Sequence, residues 1–120
     1  MSRLIIGMCA VILAFGLTTA AQSGSQKISG HLVDGICAGN HYTEPGYGAK
    51  HEKSCSLMEG CIKSGYAIIT EDRRVFTLDK SGSERALALI KATDKNNDWK
   101  VIVTGKVDGQ TIAVDAITLQ

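Results

Sequence analysis

The chain has 120 residues, with 13 Lys and Arg against 12 Asp and Glu and a formal net charge of +1. That length suits one domain with a single modest core, and the balance of charge lacks the basic excess that marks a nucleic-acid binder. Four cysteines in so short a chain make their placement the first question.

Residues 1 to 21 read as a targeting segment. Arg3 supplies a positive start, Leu4 to Leu17 is almost purely apolar, and Thr18-Thr19-Ala20-Ala21 offers small residues around a cleavage point after Ala21. This is the layout of a secretory signal peptide. The apolar run is short of the roughly 20 residues that a spanning helix needs, so no stable membrane anchor is expected once the peptide has gone. Cys9 leaves with it. The expected mature chain, residues 22 to 120, is exported to a periplasmic or extracellular compartment. Without Arg3 it carries 12 basic and 12 acidic residues, and it keeps three cysteines: Cys37, Cys55 and Cys61. In an oxidising compartment thiols pair. Three thiols leave one over, or all three serve one metal.

The polar leader QSGSQ, residues 22 to 26, precedes a single domain expected over residues 27 to 120. Lys27 to Asp34 alternates, with Ile28, Gly30 and Leu32 on one face and His31 and Val33 on the other, which predicts a first strand. Residues 35 to 64 hold Gly, Asn, Pro, Ser and all three remaining cysteines. They read as a long insertion with one short helix at Glu52 to Glu59, stopped by Gly60. Tyr66 to Thr70 and Arg74 to Asp79 make a hairpin around Glu71-Asp72-Arg73. Ser81 and Glu84 have the spacing of a capping box, and Ala86, Leu87, Leu89 and Ile90 form an apolar stripe, so a helix is expected over Ser83 to Thr93. Trp99 to Val107 alternates strictly. Asp108-Gly109 is a hairpin turn, and Thr111 to Leu119 is the last strand.

This order predicts a mainly β fold: a five-stranded OB-like barrel with one helix between strands 3 and 4 and a Cys-rich insertion between strands 1 and 2. Closure into a barrel would also bury the sheet edges. The alternative for the same order is an open five-stranded α+β sandwich. The run Gly30-His31-Leu32-Val33-Asp34-Gly35-Ile36-Cys37, the following His and Cys residues, and Tyr66-Ala67-Ile68-Ile69 resemble a group of small exported bacterial proteins with an OB-like barrel. The distinctive part of the resemblance is G-x3-D-x2-C with the later cysteines. It implies a compartment and a fold, and no reaction.

The insertion gathers Cys37, His41, His51, Cys55, Met58 and Cys61. Thiolate and imidazole suit Zn, and thiolate with thioether suits Cu. His51 and Cys55 are i and i+4, so on a helix they would share one face. Cys37, His51, Cys55 and Cys61 are therefore one candidate ligand set. A Cys37–Cys61 disulfide is the competing use of the same residues. It would close a loop between the insertion's two ends and contribute on the order of 3 kcal/mol. That bridge would leave Cys55 beside His51, a pair able to activate a thiolate. Asp34 either orients a ligand His or caps the turn that follows the strand.

Five aromatic residues remain after the leader, and Phe76 and Trp99 read as core. That leaves too little stacking surface for a nucleic-acid platform. No phosphate-binding G-x-x-x-x-G-K-[ST] run is present, and no group offers an oxyanion hole. The leading expectation is a non-enzymatic exported module whose disulfide-braced insertion recognises a protein or small ligand. The alternatives are a periplasmic metal-binding protein and a thiol enzyme using Cys55 and His51.

Overall fold

Alternation along the first segment becomes β1, Gln26–Asp34, which pairs antiparallel with strands on both sides. The computed structural model describes residues 24 to 120; the targeting segment expected at residues 1 to 21 lies outside them. One neighbour of β1 is β2, Tyr66–Ile69, with Asp34 opposite Tyr66. The other is β4, Lys100–Asp108. β2 pairs antiparallel with β3, Val75–Leu78, and β4 pairs antiparallel with β5, Thr111–Leu119. A short parallel contact, Thr77 against Thr111 and Leu78 against Ile112, joins β3 to β5. The five strands therefore close into a ring in the order β1-β2-β3-β5-β4. An open sandwich would leave two edge strands each unpaired on one side, and this closure excludes it.

Inside the ring, Leu32, Ile68, Leu78, Trp99, Val101 and Ile112 build the core, joined by Ala86 and Ile90 of the long helix. That helix, Lys80–Ala92, starts earlier than the Ser81–Glu84 spacing predicts. Its N-cap is Asp79, whose carboxylate accepts from the Gly82 N–H at 2.8 Å and from the Val114 N–H at 3.3 Å. The second contact ties the cap to β5, which a local pattern cannot reveal.

The insertion between β1 and β2 is ordered and holds four short helices: α1 Gly35–His41, α2 Tyr47–Lys50, α3 Lys53–Ser56 and α4 Glu59–Lys63. The long helix is accordingly α5. The single helix expected over Glu52 to Glu59 is split, because Met58 adopts an extended backbone (φ −63°, ψ 143°) and caps α4. Gly60 consequently lies inside α4 and does not stop a helix. The insertion covers the outer face of the sheet, where Val33, Ala67 and Ile69 meet Ala38 in a second, smaller cluster. This explains why all four residues of β2 are buried: each side of the strand has a cover. The insertion's ends are pinned by the Gly35 N–H on the Gly65 carbonyl at 2.8 Å. Its middle is pinned by Lys53, whose Nζ donates to the Thr93 carbonyl at 2.7 Å. Among the described residues no helix is long and apolar enough to cross a membrane.

Candidate metal centre

The site begins where β1 runs out. Asp34 is its last residue and is fully buried. One carboxylate oxygen, Oδ2, accepts from the Cys37 N–H at 3.0 Å and so caps α1. A carboxylate at N-cap that accepts from the N–H three residues ahead is a common way to satisfy an orphan amide. It also sets the Cys37 side chain beside the carboxylate that caps it. The other oxygen, Oδ1, faces His51 Nε2 at 3.0 Å.

His51 is not on a helix. It follows α2 in an extended conformation (φ −66°, ψ 126°), with its side chain 2% exposed. Its Nδ1 is paired with the Ser56 hydroxyl at 3.1 Å. Ser56 is itself buried, and its carbonyl accepts from the Tyr66 hydroxyl at 2.7 Å. A chain from β2 through Ser56 thus fixes the ring and turns Nε2 towards Asp34. Such outer partners commonly orient a ligating imidazole. Tyr47 adds a wall: its ring stacks on His41 at 4.6 Å between centroids and leans on His51 at 5.6 Å.

Cys37 from α1 and Cys55 from α3 complete the cluster. One donor atom from each of Asp34, Cys37, His51 and Cys55 lies within 4.8 Å of all the others. Asp34 Oδ1 and His51 Nε2 are close enough for an ion pair, yet neither completes a hydrogen bond. Among the described residues they are the two buried side-chain polar atoms left without a hydrogen-bond partner.

Burial works against the charge on Asp34, but the His51 ring and the Cys37 N–H outweigh it and hold the carboxyl below its usual range. Cys37 goes the other way. Burial pushes its thiol up to about 12, with the charge of Asp34 adding to the rise, although Tyr47 pulls it down. Without a cation the site therefore holds a carboxylate and a protonated Cys37, an arrangement that a bound metal would convert to thiolate.

The structure brings together Cys37, His51 and Cys55 from the expected ligand set and sets Asp34 in the fourth place. His51 and Cys55 do not share a helical face, because α3 begins only at Lys53; the bend at His51 delivers its ring instead. Cys61 stands beside the cluster, where burial and the neighbouring Asp34 and Cys55 raise its pKa. Cys37, Cys55 and Cys61 are all free thiols, with no Cys37–Cys61 bridge between them. His41 points elsewhere, paired with Glu44 at 2.8 Å, and Met58 is 60% exposed. Of the two readings of Asp34, the cap describes its Oδ2, and Oδ1 faces His51 as an orienting carboxylate would; a role for Oδ1 as a direct metal donor was not among them. The available signal was D-x2-C, which sets a capping carboxylate and a thiol at one helix start. Ser56 and Tyr66 carried no signal at all. No family model, curated protein or solved structure matches this chain.

Proposed function

We propose that the protein is an exported zinc-binding module: an OB-like barrel whose Cys-rich insertion folds around one Zn²⁺ held by Asp34, Cys37, His51 and Cys55. The observation that carries this reading is the cluster of four donors, in which the buried Asp34 Oδ1 and His51 Nε2 face each other at 3.0 Å and have no further hydrogen-bond partner. One cation would be held by these two atoms together with the two cysteines as thiolates. Two thiolates, an imidazole and a carboxylate are the donor types that Zn²⁺ takes in tetrahedral sites. Cu⁺ prefers thiolate and thioether; here a carboxylate is present and the thioether of Met58 is turned to solvent. Four protein donors leave no open position for a substrate, which suits a structural or storage role over catalysis.

The thiol-enzyme reading gains nothing from this geometry. Both ring nitrogens of His51 already face groups other than Cys55, at Ser56 and Asp34. The disulfide-braced module remains the competing use of the thiols. Native mass spectrometry of protein recovered after export separates the two. One zinc per chain with three reduced cysteines supports the proposal; metal-free protein with Cys37 linked to Cys61 overturns it.

A pH dependence follows. Cys37 starts as a thiol held up to about 12, so zinc must displace its proton, and protons compete less as pH rises. Apparent zinc affinity should increase by at least about tenfold per pH unit between roughly pH 6 and 8. Competition with a chelator of known affinity at several pH values measures this. An affinity flat with pH would remove Cys37 from the ligand set.

A further inference from the structure

We infer that a second site, separate from the metal donors, binds a small aromatic anion in a cleft between α1, the β2–β3 hairpin and the β4–β5 turn. The cleft has a volume of about 520 Å³, within the range of small-molecule sites. Gly35 and Gly39 of α1 line it. They are i and i+4 on one side of the helix, and Cys37, two residues from each, projects from nearly the opposite side. The helix therefore stands between the two sites, and the inference does not depend on the metal reading.

Charge gives the class of ligand. Arg73 and Arg74 both line the cleft, and no acidic residue does, in a chain whose charges otherwise balance. Arg74 is neutralised by Asp72 at 2.9 Å, and its guanidinium lies 5.3 Å from the centre of the Phe76 ring. Arg73 has no carboxylate partner among the described residues; its Nη1 donates to the Thr43 carbonyl at 3.2 Å. That bond spends one donor and leaves the charge uncompensated beside the cleft. A guanidinium of this kind takes a carboxylate or a phosphate in a two-point contact.

Aromatic surface gives the body of the ligand. Tyr42 is 39% exposed, one of three large hydrophobic side chains left open to solvent among the described residues, and it lines the cleft with Phe76 and Gln110. Gly39 is exposed at the cleft's edge and a Cβ added there would meet nothing within 4 Å, so a larger side chain can be placed there without displacing a neighbour. A flat apolar group bearing one anionic head matches these walls.

The test is an amide chemical-shift titration with three probes of one shape: 2-naphthoate, 2-naphthyl phosphate and the neutral 2-naphthamide. At least one anion should shift Gly39, Tyr42, Arg73 and Gln110 and bind about tenfold or more tightly than the amide. The tighter of the two identifies the head group. Gly39→Trp should abolish binding, and Arg73→Gln should weaken the anions towards the level of the amide; the second variant decides the matter if the first fails to fold. Equal binding of the neutral amide, shifts confined to other surfaces, no binding of either anion, or unchanged binding in a folded Gly39→Trp protein would each overturn the inference.

Discussion

Stripping zinc from the loaded protein is expected to loosen residues 35 to 64 while the ring of strands stays folded. The four helices of the insertion run 7, 4, 4 and 5 residues. Isolated helices below about 12–15 residues are marginal in water, so these depend on what they are fastened to. Their apolar support is small, with four buried residues in the outer cluster against twelve in the core inside the ring. A metal bound by Asp34, Cys37, His51 and Cys55 would join the end of β1, α1, the bend after α2, and α3 at one point. An ion free at a thousand times its dissociation constant stabilises the state that binds it by about 4 kcal/mol. Amide exchange in the insertion should accordingly quicken by roughly a thousandfold when a chelator removes the metal. Exchange in β4 and β5 should change little, since their ladder and the Trp99, Val101 and Val103 core lie inside the ring. Equal protection of the insertion with and without zinc would mean that its hydrogen bonds suffice, among them those from the Lys53 N–H to the Asn96 carbonyl and from Lys53 Nζ to the Thr93 carbonyl, and the metal would lose its structural role.

Period-two alternation and the Asp108-Gly109 turn made the strands legible, and the last of them spans Thr111 to Leu119 as read. Alternation is a local property imposed by one buried face, so it survives in the sequence. The insertion was opaque for the opposite reason. Helices of one or two turns are too short to print a 3.6-residue period, and α1 and α2 left no usable stripe. At α5 the local signal misled: Ser81 and Glu84 have capping-box spacing, but Asp79 reaches both Gly82 and Val114, and the second of these is on another strand. The candidate site was half legible. His51 and Cys55 do meet in the cluster, but not as i and i+4 on one helical face. Asp34 was readable as a cap because the N–H it accepts from lies only three residues ahead. Its other oxygen meets His51 only after the insertion has folded back over the sheet.

Asp34 is where the zinc proposal is most exposed, because one side chain would do two separable things. Asn is as good an N-cap as Asp. Asp34→Asn should therefore keep the bond from the Cys37 N–H and hold α1 in place, while removing the anionic donor. Asp34→Ala removes both, costing about 1 kcal/mol more for the lost cap. It also leaves His51 Nε2 buried with nothing opposite it. Structural zinc sites carry about 10–16 kcal/mol of apparent affinity, near 3 kcal/mol per ligand over four ligands, so each variant should bind zinc roughly a hundredfold more weakly. The acid limb of stability supplies a second readout. Asp34 has a pKa lowered by folding from a reference of 3.8, so its contribution is complete above that value and fades as pH falls through the lower, folded one. The metal-free native protein should lose that contribution in this acid range, and Asp34→Asn should lack that step. Zinc affinity unchanged in Asp34→Asn would leave Asp34 as a cap only. The fourth place would then pass to Cys61, which stands beside both Asp34 and Cys55, and Cys61→Ser would take over the hundredfold loss.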